Sequence, residues 1–89
     1  MNKIFVSLSS ISMDLERVAM GYQRGSVAMG NRFLGEALIR RSEIDKNQVK
    51  PHIKKLMNAL DGIMKEKDIE KKAEDALMYS TLFQNAALK

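Results

Sequence analysis

Apolar residues recur at alternating steps of four and three through Ile4, Leu8, Ile11, Leu15, Val18 and Tyr22, and the rhythm continues to Gly25 and Met29. Such steps put side chains on one face of an α-helix. A second row, Met13, Met20, Val27 and Leu34, repeats every seven residues and also crosses Gly25 without slipping, the spacing of coiled-coil-like packing. Together the two rows predict one helix over residues 3–41. Its weak point is Arg24-Gly25-Ser26, because glycine is a C-terminal cap signal and serine a good N-cap. A break there gives an up-and-down four-helix bundle instead. No acid follows Ser26 in a first turn, and there is no proline or polar loop, so the pattern favours a continuous or kinked helix.

Further on, Ser42 to Asn47 reads as a connection, with Asp45 and Gln48 spaced as a capping box and Asn47 as an alternative cap. Pro51 is tolerable only in a first turn, so a second helix starts at about residue 47 or later and runs to about residue 65. Its stripe is Val49, Ile53, Leu56, Leu60 and Ile63, with Met57 and Met64 beside it. Lys65 to Asp68 is a polar turn that ends in a plausible cap. A third helix follows over 69–87, with Ile69, Ala73, Ala76, Leu77, Ser80 and Phe83 facing inward. The expected fold class is therefore all-α: a single helical-bundle domain over 1–89, with three helices if the first is unbroken and four if it breaks at Gly25.

Length then bears on association. A helix of about 38 residues spans ~57 Å at 1.5 Å per residue, whereas a compact chain of this size is ~30 Å across. The shorter helices would not reach its first turns. Ile4, Leu8, Ile11 and Leu15 would lie uncovered, at a cost of roughly 1.5–3 kcal/mol each. A two-fold mate is the simplest cover, so these four residues are the expected partner interface of a homodimer. In the broken-helix alternative the first segment packs on its own chain and a monomer becomes feasible. Four glycines, Gly21, Gly25, Gly30 and Gly35, lie within residues 3–41, each costing about 1 kcal/mol relative to alanine inside a helix. Close approach of another backbone near Gly21, Gly25, Ala28 and Gly35 would offset that cost.

Composition narrows the functional classes. Hydrophobic residues make up 45% of the chain and charged residues 29%, with no cysteine, so the chain is not of disordered type and has no disulfide or thiolate metal site. The serine-interrupted start lacks the form of a signal peptide, and no apolar run approaches the ~20 residues of a membrane span. A cytoplasmic protein with no membrane contact is expected.

His52 stands alone, with no second ligand at metal spacing, and reads as a surface histidine. Asp68, Glu70, Glu74 and Asp75 interleave with lysines and read as a solvated charged face. Ser7, Ser9, Ser10 and Ser12 lie in no nucleophile motif; they loosen or cap the first turns. The methionines read mainly as core filler, with a Met-lined partner groove as the alternative. No catalytic residue, cofactor or metal is expected.

The net charge of +4 is uneven, and Lys46 to Leu60 contains no acid. Arg40, Arg41, Lys46, Lys50, Lys54 and Lys55 gather around the first connection, where they suit sequence-neutral contact with nucleic-acid phosphates. No aromatic stands among them to stack on bases. The sequence points first to a small non-enzymatic interaction or assembly protein, homodimeric or a subunit of a larger complex. A basic helical accessory subunit on nucleic acid is the alternative.

Overall fold

A computed structural model describes residues 3–88. It is an all-α bundle of four helices: α1 (Lys3–Gln23), α2 (Val27–Ser42), α3 (Pro51–Lys65) and α4 (Ile69–Leu88), with a 3-10 turn at Lys46–Gln48. α1 runs antiparallel to both α2 and α4, with its Gly21 against Gly30 and its Tyr22 ring near Lys72. Ser12 of α1 meets Ser80 of α4, Asp14 of α1 meets Arg40 of α2, and Lys72 of α4 reaches back to Met64 of α3.

The expected continuous first helix is corrected at Gly25. This residue has φ +81°, a left-handed conformation in which any side chain is strained. The Ser26 N–H donates to the Gly21 carbonyl at 2.8 Å and the Gly25 N–H to the Tyr22 carbonyl at 3.1 Å, the paired bonds of a Schellman cap. The Ser26 hydroxyl then accepts from the Met29 N–H at 3.2 Å and starts α2. One helix stops and another begins within three residues, with no polar loop required.

The reversal removes the argument for a rod. The molecule is 36 × 21 × 19 Å with a radius of gyration of 12.2 Å, close to the ~12 Å of a compact chain of this length. Leu8, Ile11 and Leu15 are buried in the chain's own core, and Ile4 is half-buried against it. The expected partner interface at Ile4, Leu8, Ile11 and Leu15 is therefore interior packing, because α2 and α4 extend alongside α1. One core cluster also takes in Val18, Met57, Leu60, Ile63 and Phe83.

Both rows that seemed to cross Gly25 divide there. The first is interior as far as Tyr22 and then meets the exposed turn. In the second, Met13, Met20 and Val27 are exposed while Leu34 is buried. Phase along the sequence persists although α2 has turned back, so equal spacing no longer means a shared face.

Close backbone approach occurs at one pair of glycines. A Cβ on Gly21 would lie 2.6 Å from the Gly30 backbone nitrogen, and one on Gly30 would collide with the Tyr22 ring. Gly35, expected at such a contact, has open space around it.

In the second half, Pro51 occupies the first turn of α3 behind Lys50, which makes no side-chain cap bond. Asp45 caps the preceding 3-10 turn through the Asn47 N–H. Asp68 caps α4 by accepting from the Glu70 N–H at 3.0 Å. The inward face of α4 matches the expectation except at Leu77, which is half exposed.

Candidate interaction surface

The core-facing side of α1 is closed, and its opposite side faces solvent. Val6, Met13 and Met20 are 44%, 52% and 40% exposed. Each is seven residues from the next, a rise of about 10.5 Å, and the three form a row that drifts about 20° round the helix per step. Ser9, Ser10, Glu16 and Arg17 occupy the spaces between them. Met13 also lines a shallow groove of about 230 Å³ between α1 and α4, with Ser9, Glu16, Gln84 and Leu88. Leu88 is 71% exposed and Leu77 50%.

Buried polar contacts hold α1 in place behind this row. The Ser12 hydroxyl donates to the Ser80 carbonyl at 2.7 Å, and the Ser80 hydroxyl donates to the Ser12 carbonyl at 3.0 Å. Each serine thus bonds the other's backbone, which a small side chain permits only where two helices lie close. On the α2 side, Asp14 is 3% exposed and accepts from Arg40 Nε at 2.8 Å. Arg17 Nη1 lies 3.6 Å from the other Asp14 oxygen, and its guanidinium sits 5.5 Å from the Phe33 ring. Arg17 is thereby drawn towards α2 and away from the outer row. Among these groups, Ser12 had seemed one of several cap-forming serines, and Asp14 and its partner are 26 residues apart. Neither pairing has a local sequence signal.

The Tyr22 hydroxyl donates to Asn31 Oδ1 at 2.6 Å, and burial raises the phenol above its ordinary pKa. Lys72, expected on the solvated face of α4, is 9% exposed. Its ammonium lies 5.5 Å from the Tyr22 ring centre and reaches the Met64 carbonyl at the end of α3, where a cation complements the helix dipole.

The basic group separates into two kinds. Arg40 is paired with Asp14. Arg41 Nη1 donates to Asp61 Oδ1 at 2.9 Å and to the Met57 carbonyl at 3.0 Å, joining α2 to α3. Lys46, Lys50, Lys54 and Lys55 have no carboxylate within 4.0 Å among the described residues. His52 is exposed beside them.

No group of three or more His, Cys, Asp or Glu side chains placed to hold a metal occurs among the described residues. Among the described residues, no helix is long and apolar enough to cross a membrane. No protein-family model, curated protein or solved structure matches the chain.

Proposed function

We propose that this chain is a small, non-enzymatic, cytoplasmic assembly protein that associates with a second copy through helix–helix contact. The observation that supports this reading is the row Val6, Met13 and Met20. Single exposed apolar residues are ordinary on a protein surface, but three at heptad spacing on the solvent side of one helix have the form of an association seam. The seam lies on the far side of α1 from the residues first expected to pair. Sedimentation equilibrium across a concentration series tests the reading: a monomer–dimer equilibrium is expected, weakened by Met13→Glu. A wild-type mass that stays monomeric at the highest concentrations would refute it.

A second reading is supported by Lys46, Lys50, Lys54 and Lys55, whose charges are not neutralised by neighbouring carboxylates. In it, these lysines contact nucleic-acid phosphates. Binding to generic duplex DNA and to RNA should then weaken steeply with salt, and Lys50→Glu with Lys54→Glu should abolish it. Absence of binding at low salt would eliminate this reading. Arg40 and Arg41 are not included, since both hold the fold together.

A further inference from the structure

We infer that the trough between the first half of α3 and the last half of α4 receives an acidic amphipathic helix of another protein. This surface lies apart from the α1 row and does not depend on self-association. Two adjoining hollows, each of about 270 Å³, form the trough and share His52 and Ala86. The first is also lined by Leu56 of α3 and by Leu82 and Asn85 of α4. The second runs on to the end of the bundle, where Phe5 of α1 and Val49 and Ile53 beside α3 line it. The floor is apolar: Leu82 is 39% exposed, and Phe5, Val49, Leu56 and Ala86 are half-buried. A concave apolar strip between two helices is the form into which a third amphipathic helix lays its apolar face.

Charge names the kind of helix. The lining comes from three stretches of chain, residues 3–13, 46–60 and 76–88, and none contains an acidic residue. Lys50 lines the second hollow. Lys55 is exposed three residues beyond His52, so it flanks the same side of α3 and continues the basic rim. Neither lysine has a carboxylate within 4.0 Å among the described residues. Glutamates bordering the apolar stripe of an incoming helix supply those partners. A second copy does not, because pairing this patch with its own equivalent sets lysines against lysines. Nor does this chain offer an acidic helix face, since Glu70, Glu74 and Asp75 are interleaved with Lys71 and Lys72. A nucleic-acid backbone would engage the lysines and leave Leu56 and Leu82 unused.

The probe is a labelled synthetic peptide of about 16 residues, long enough to populate a helix, with leucines at i, i+3, i+4 and i+7 and glutamates beside them. Two counterparts carry lysine for every glutamate, or the same residues with the leucines scattered round the helix. By fluorescence anisotropy the acidic amphipathic helix is expected to bind at least about tenfold more tightly than either. Amide shifts in heteronuclear NMR are expected to move at Leu56, Leu82 and Ala86 and to stay fixed at Met13 and Met20. Leu82→Glu is expected to weaken binding with the circular dichroism unchanged. Lys50→Glu with Lys55→Glu is expected to exchange the preference, so that the lysine helix binds the tighter; a loss of folding cannot produce such an exchange. Lys65→Glu with Lys67→Glu, the same change of charge at the far end of α3, should leave binding of the acidic helix within about twofold. No binding by the acidic helix, equal binding by all three peptides, or shifts confined to the α1 row would overturn the inference. So would duplex DNA or phosphatidylserine vesicles that bind at this face while the acidic helix does not.

Discussion

At the scale of single residues, the glycines separate by what surrounds them. Gly30 lies under the Tyr22 ring and Gly21 against the Gly30 backbone, so a methyl group at position 30 forces α1 and α2 apart. Gly30→Ala should destabilise the fold by about 1–3 kcal/mol, the usual range for overpacking. Gly35 and Gly62 sit inside helices with nothing within 4 Å of a Cβ. Gly35→Ala and Gly62→Ala should each stabilise by about 0.5–1 kcal/mol through helix propensity alone. Urea unfolding of the three variants checks the opposite signs. Tyr22 adds a pH dependence. Because burial raises the folded-state pKa, the folded chain holds the phenolic proton to higher pH than the unfolded chain does. This contribution is complete below the ordinary value of 10.0 and is lost as pH rises through the folded value. Tyr22→Phe should flatten the alkaline fall in stability measured by denaturation above pH 10, and should also lose the bond to Asn31.

At the scale of elements, the α1–α2 hairpin depends on a short turn and a buried ion pair. Arg40→Ala would leave the Asp14 carboxylate, 5% exposed in its side chain, with only Arg17 at 3.6 Å. A destabilisation of about 1–3 kcal/mol is expected for the stranded group, whereas Lys46→Ala on the exposed 3-10 turn should change stability by under about 0.5 kcal/mol. Chemical denaturation of both variants separates an internal tie from a surface cation. The same hairpin marks the limit of what pattern reading reveals. The helical stripe from Ile4 to Tyr22, the placement of Pro51 in the first turn of α3 and the Asp68 cap were legible because each is set by residues within a turn of one another. Gly25 and Ser26 also carried their capping chemistry openly, but register across the turn favoured continuity, and register does not detect a reversal that preserves phase. Asp14 with Arg40, Ser12 with Ser80, and Lys72 over Tyr22 were hidden for a different reason. Each depends on which helices become neighbours and at what relative height. Of the candidate seam, the sequence displayed Met13 and Met20 as a row with seven-residue spacing. Only the closed bundle shows that Val6 extends that row and that Leu34 leaves it.

At the scale of the whole molecule, folding and association come apart. Had α1 been a rod with Leu8, Ile11 and Leu15 bare, the monomer would have lacked a core and its stability would have depended on the partner. The bundle instead buries those residues within one chain and leaves Val6, Met13 and Met20 outside it, where losing a partner exposes no core residue. An obligate dimer melts at a temperature that rises with protein concentration, since the partner binds only the folded state. Here that dependence should be weak for the wild type and absent for Met13→Glu, while Met13→Glu should retain its helical circular dichroism and unfold within about 0.5 kcal/mol of the wild-type monomer, as a surface substitution does. The same variant sets a charge in the middle of the proposed seam, so its dissociation constant should rise at least about tenfold, a cost of ~1.4 kcal/mol or more. A variant that associates poorly yet melts like the parent identifies the row as a surface for assembly. If Met13→Glu also unfolded the chain, the row would belong to the fold, and the separation of core from seam along α1 would be wrong.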